Sequence, residues 1–257
     1  MQGTGPGRQV ENTWQSFRHY LWEDRYFWIA AMLCLSVQAF EETRWLLWPL
    51  KQFGVYVHEL FHGLAALVSG GSFSKMILFQ DGGGVAYTVT YSPVSRVIVS
   101  AGGLIGPALL GGIVLFFSRR FRLTHYLLKA LAALLVICTL LWVRDWYTAI
   151  FGISIATLLA AVSFLPSKTF LRIFAQYLGI QLSVENLLDF DYMFTERFVR
   201  DGQTHLSDTG NIARVLGGSY FFWGCLIAAI TLLIILVTLI KSRPQPIHGR
   251  AGSNQKT

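Results

Sequence analysis

Four stretches of this chain, residues 94–117, 126–143, 147–165 and 219–240, are almost continuously apolar, with no more than one basic side chain in each. About 20 such residues cover a hydrocarbon core of about 30 Å. Inside lipid every backbone N–H and C=O must find an internal partner, which leaves only helices or a closed barrel. Runs this long, with no alternation of period two, read as helices. Three further apolar runs, 26–40, 45–69 and one from near Phe170 to about Phe194, are interrupted by polar residues. The expected fold is an all-α polytopic membrane protein with six or seven transmembrane helices.

Composition agrees: 53% of the residues are hydrophobic, 14% are charged, and the mean hydropathy is +0.48. Six or seven spans use nearly all of the 257 residues, so no sizeable soluble domain is expected. The chain divides into a polar N-terminal segment (1–25), one membrane-embedded domain (26–240) and a basic tail (241–257). Pro244, Pro246 and Gly249 mark that tail as disordered. The N-terminus does not resemble a cleaved signal peptide, because the first apolar run begins only at Tyr26.

The net charge of +7 reads as a topology signal rather than a nucleic-acid footprint. Arg119, Arg120 and Arg122 cluster in one connection, Lys168 and Arg172 open another span, and Lys241, Arg243, Arg250 and Lys256 decorate the tail. Placing all three groups in the cytoplasm gives a self-consistent seven-span path with the N-terminus outside. The expected location is a multi-pass position in a cell inner membrane or an organelle membrane, in contact with the lipid bilayer and with no nucleic-acid partner. The residues are silent on oligomerisation. Cys34, Cys138 and Cys225 all lie in apolar segments without a C-x-x-C pair, so neither a disulfide framework nor a cysteine zinc site is indicated.

Between the second and third runs, "GGSFSKMILFQDGGGVAYTVTYSP" flanks Asp81-Gly82-Gly83-Gly84 with β-branched and aromatic residues, the pattern of a β-hairpin. Its edge strand, with Gly83, Val85 and Tyr87, is the expected receiver of an extended peptide by β-augmentation. Residues 195–210 read as a polar loop, and Ser207-Asp208 as the N-cap of a helix running through Ile212 to Leu216.

The stretch "VYVHELFHGLAALVSGG" sets two histidines and a glutamate inside an apolar helix. His58 and His62, four residues apart, share a helix face at a spacing that suits two imidazoles on one tetrahedral zinc. Glu59, next to them, can take a proton from a water that the metal activates. With six histidines and seven glutamates in 257 residues, H-E-x-x-H is expected by chance roughly 0.004 times. Ionisable groups at membrane depth are expensive and mark function.

"HELFHG" within a span, a glycine-rich hairpin, and "SAGGLIGP" opening the next span together resemble the site-2 protease family of intramembrane zinc metalloproteases. The resemblance is closest to its small bacterial-type members without extra domains. "LLWVRD", "YLGIQLSVENLLDF" and "SDTGNIARVLGG" extend it from about Trp48 to Gly217. It implies that His58 and His62 bind Zn2+, that Glu59 is the catalytic base, and that the substrate is a transmembrane or membrane-bordering segment of a protein or peptide.

A hydrolytic zinc takes three protein ligands and one open position. The Leu-Asp-Gly motif that supplies an aspartate in better-known members is absent, and the nearest stretch is "NLLDF", with Asn186 and Asp189. Gln181, Glu185 and Asp189 fall at i, i+4 and i+8 and form one polar stripe expected to face the bundle interior. Asp189 is the first candidate for the third ligand, followed by Glu185, Asp145 and Asp191. Asp145 is read first as the partner of Arg144. The competing reading of the whole chain is a non-proteolytic membrane protein of the same fold, binding a client or lipid and using the histidine cluster structurally.

Overall fold

A computed structural model describes residues 25–39, 44–188, 190–200 and 202–241. The N-terminal segment 1–24, the tail from 242 and Asp189 lie outside the described residues. The elements, in chain order, are α1 (Arg25–Ala39), α2 (Arg44–Val68), β1 (Ser72–Leu78), β2 (Gly84–Val89), α3 (Pro93–Ser118), α4 (Phe121–Trp142), α5 (Trp146–Ser163), α6 (Lys168–Leu188), the single turn α7 (Phe190–Met193), β3 (Arg197–Arg200), β4 (Gln203–Leu206), α8 (Asp208–Leu216) and α9 (Tyr220–Lys241).

Four of the described helices, α3, α4, α5 and α9, are long and apolar enough to cross a membrane. The chain is thus mostly helical and has the spans of an integral membrane protein, and these four do not by themselves establish the six or seven expected. The apolar part of α1 is short. On α2 and α6 the polar residues Gln52, Glu59, His62, Gln176, Gln181 and Glu185 dilute the hydropathy, and all six are buried against neighbouring helices. Leu140, Ile150, Phe222 and Leu232 are instead more than half exposed on the outside of α4, α5 and α9. An apolar exterior around a polar-containing interior is the arrangement that lipid selects.

The central helix is α3, which packs against α2, α6, α8 and α9. Ser92 caps it, accepting from Ser95 N–H at 3.0 Å, and Pro93 occupies the first turn, where its missing N–H has no helical partner to lose. Glycines on α3 let neighbouring backbones close in. A Cβ on Gly111 would lie 2.6 Å from the Gly179 carbonyl of α6, and one on Gly102 would lie 2.7 Å from the Ala65 Cβ of α2. The main apolar core joins α2, β1, α4, α5 and α6 around Phe53, Val57, Met76, Leu135, Leu159 and Leu182.

Helix α2 ends in a Schellman motif. Gly71 N–H reaches Ala66 C=O at 2.8 Å, Gly70 N–H reaches Leu67 C=O at 3.2 Å, and Gly70 takes φ +81°. The chain reverses there into β1, which pairs antiparallel with β2 from Ser72↔Val89 to Leu78↔Gly84. Asp81 Oδ1 accepts from Gly83 N–H at 3.0 Å and Gly82 takes φ +90°, fixing the turn. On its other side β1 meets Val143 in a parallel bridge. The region read as a polar loop also holds a second hairpin, β3–β4, turning at Gly202 with φ +73°. Arg200 of β3 donates to Asp81 at 2.9 Å and stands 4.1 Å over the Phe79 ring, so the two hairpin tips are tied together.

Candidate metal centre

Histidines four apart on α2 project from the same face, and α3 decides how deep they sit. A Cβ on Gly103 would fall 2.2 Å from His62 Cε1 and 2.3 Å from its Nε2, so the imidazole occupies the space a side chain would fill. Packed there, His62 Nδ1 is 2.8 Å from the Val99 carbonyl. A carbonyl only accepts, so Nδ1 carries the proton and Nε2 keeps its lone pair. That Nε2 faces His58 Nε2 at 2.9 Å.

The third donor comes from the start of α8. Ser207, not Asp208, caps this helix: its Oγ accepts from Gly210 N–H at 3.0 Å and donates to the Thr195 carbonyl. Thr209 Oγ1 donates to the Met193 carbonyl at 3.0 Å. With residues 207 and 209 anchored, the Asp208 side chain is directed into the bundle. Its Oδ2 lies 3.3 Å from His58 Nε2 and 3.3 Å from His62 Nε2, and accepts from Tyr192 Oη at 3.1 Å. Capping, the reading drawn from sequence, is therefore corrected for Asp208, since Ser207 already satisfies the helix end.

His58, His62 and Asp208 form a group with one ligand atom each, all within 4.8 Å of one another. A tetrahedral zinc with bonds of about 2.0–2.1 Å spaces its donors by about 3.3 Å. Two edges of the triangle match that value and the third is a few tenths shorter, so two imidazoles and a carboxylate fit a divalent ion of this kind. An ionised carboxylate is the form a metal needs.

Glu59 is buried beside this group, under β2. A Cβ on Gly84 would lie 2.7 Å from Glu59 Cγ and 2.9 Å from its Oε1, so glycine at that position admits the carboxylate. His58 and Glu59 line a cavity of about 230 Å³ together with Gly82, Gly83, Gly84 and Tyr192. Phe198 and Arg200 of the second hairpin also line it.

The remaining sequence candidates separate. Glu185 lines the same cavity, accepts from Gln181 at 2.9 Å, and fills the space left by Gly54 of α2, but it is not among the three converging donors. Asp145 is engaged at the start of α5, where its Oδ2 caps the helix by accepting from Thr148 N–H and Oγ1, each at 2.8 Å. The expected Arg144–Asp145 pair is replaced by two helix-end contacts, because Arg144 donates to the Leu140, Leu141 and Val143 carbonyls closing α4. Asp189 lies outside the described residues, as does the side chain of Asp191. Tyr192 was not singled out from sequence, where a tyrosine in "FDYMF" carries no motif.

Because the His62 ring rests against Gly103, Gly103→Ala is expected to weaken zinc binding at least about tenfold while the protein still extracts as a monodisperse species. Competition with a chromophoric chelator measures this. A variant that holds zinc as tightly as wild type would show that α3 does not set the imidazole.

A family model described as Peptidase M50B-like matches residues 27–238. Comparison with curated proteins and with solved structures returned no match.

Proposed function

This chain belongs to the Peptidase M50B-like family, the site-2 protease group that its motifs resemble, and on that premise we propose that it is an intramembrane zinc endopeptidase acting on transmembrane or membrane-bordering segments. The convergence of His58, His62 and Asp208 beside Glu59 carries the reading. Those three residues would hold the ion, with Asp208 in the position for which Asp189 was the first candidate. Zinc bound there supplies Lewis acidity, which lowers the pKa of a water and polarises a carbonyl.

The chain's own groups do the rest. Glu59 takes the proton of the attacking water and returns it to the leaving amine, a role open to a carboxylate at the cavity wall next to His58. Val99 holds the His62 tautomer, and Tyr192 orients the Asp208 carboxylate.

Substrate presentation falls to β2. One edge of β2 pairs with β1, and among the described residues its other edge carries no strand. Phe79 N–H bonds the Gly83 carbonyl, so antiparallel alternation turns Gly83, Val85 and Tyr87 toward β1 and directs the backbone of Gly84 and Ala86 outward. An extended substrate would pair along this edge at Gly84, one residue out of phase with the expected set; Gly84 packs on Glu59 and the Ala86 backbone already hydrogen-bonds that carboxylate, so the substrate strand would meet the base directly. Unwinding is required, since a helical peptide bond is shielded by its own turn.

Proteoliposomes containing the purified protein and a library of membrane-spanning peptides test the proposal. Cleavage is expected to stop on zinc chelation and to return on adding zinc. Zinc-loaded protein that cleaves no member of the library in any lipid would favour the non-proteolytic reading.

A further inference from the structure

A second polar cavity, of about 170 Å³, lies away from the metal centre and is lined by Tyr26, Arg119, Thr124, Lys168, Thr169 and Arg172, with Phe121 beside them. Four chain segments meet there: the first turn of α1, the α3–α4 connection, the first turn of α4 and the first turns of α6. Three of the lining side chains are cationic, three are hydroxyl-bearing, and among the described residues lining the cavity none is acidic. Two of the cations lie over aromatic rings, Lys168 5.4 Å from the Phe121 centroid and Arg172 5.1 Å from that of Tyr26. Arg25 adds a further positive charge at the rim, donating to Tyr26 Oη at 2.9 Å.

The depth of this cavity follows from its neighbours. Both α3 and α4 are membrane-length apolar helices, so the two-residue connection between them, Arg119 and Arg120, lies at a membrane boundary. Lipid phosphates occupy that level, and basic pockets between spans at such a boundary suit anionic head groups. Ammonium and guanidinium groups donate hydrogen bonds to phosphate oxygens as well as neutralising them.

We propose that the cavity formed around Arg119, Lys168 and Arg172 is a binding site for a phosphate-bearing anion at the membrane boundary, supplied by an anionic lipid head group or by free phosphate. The site is independent of the metal centre and of any peptidase activity.

Thermal unfolding of the full chain in neutral detergent tests this, with three additions: mixed micelles containing phosphatidylglycerol, micelles containing phosphatidylcholine, and sodium phosphate matched for ionic strength against sodium chloride. A rise in Tm with phosphatidylglycerol alone assigns the lipid, and an equal rise with sodium phosphate assigns the free anion. Lys168→Gln, at an exposed position that folding tolerates, is expected to weaken the apparent affinity about fivefold, and Lys168→Gln with Arg172→Gln about 25-fold. Arg214→Gln, an exposed charge outside the cavity, should leave it unchanged. The proposal is overturned if neither phosphate source raises Tm beyond its control, or if Lys168→Gln responds as wild type does.

Discussion

Asp208→Ala is expected to reduce the zinc content of the purified protein from about one equivalent to less than about a tenth, because it removes one of three protein ligands. Loss of a group that merely orients a ligand weakens metal binding 10–100-fold, so loss of a ligand should exceed about 100-fold. The surroundings make the effect specific. The cap of α8 belongs to Ser207, and the anchors to residues 193 and 195 belong to Thr209 and Ser207. The helix should therefore persist when Asp208 is truncated, and the variant should fold. Asp208→Asn sharpens the test, since it keeps the shape and the Tyr192 contact but gives up the charge. Elemental analysis of Asp208→Ala beside Asp189→Ala decides the ligand. Zinc retained in Asp208→Ala and lost in Asp189→Ala would transfer the role to residue 189.

The parts of this site that sequence revealed are those whose partners are close in the chain. His58, Glu59 and His62 lie within one helical turn and a half, so their common face follows from 3.6 residues per turn alone. The β1–β2 turn was visible for the same reason, because Asp81 bonds Gly83 two residues away. Asp208 is separated from His62 by most of the bundle, and its local context, a serine followed by an aspartate before a helix, has a cheaper explanation in capping. Only packing distinguishes the two side chains: Ser207 turns back to its own helix, and Asp208 turns to α2. A clue was present in "SDTG", since one cap needs only one of the two residues.

The second hairpin was hidden for a different reason. Its strands are four residues long and read RFVR and QTHL, too short and too polar for an alternation signal. Side-chain contacts hold it instead: the long-range ones of Arg200 on Asp81 and Phe79, and the nearby ones of Phe198 with Tyr192 and His205. The span count is affected by the same coupling. Polar residues on α2 and α6 lower the hydropathy of the helices that build the cavity, whereas the peripheral α9 is almost wholly apolar.

Glu59→Gln is expected to keep zinc near one equivalent and to lower the rate of peptide cleavage by about 10²–10⁴-fold, the range of a positioned general base. The amide has nearly the same shape, so it fits beneath Gly84, where the carboxylate now packs within van der Waals contact. It leaves His58, His62 and Asp208 untouched, and none of the three distances that define the donor triangle involves Glu59. What it removes is the ability to accept a proton. The pair of measurements therefore separates chemistry from metal binding: Asp208→Ala loses both, and Glu59→Gln loses only turnover. In cells, membrane-protein fragments that accumulate with wild type should be missing with Glu59→Gln while their full-length precursors increase. Cleavage by Glu59→Gln at the wild-type rate would require the proton acceptor to be another group on the cavity wall, and Glu185, 2.9 Å from Gln181 on the same cavity, is the residue that would then be replaced.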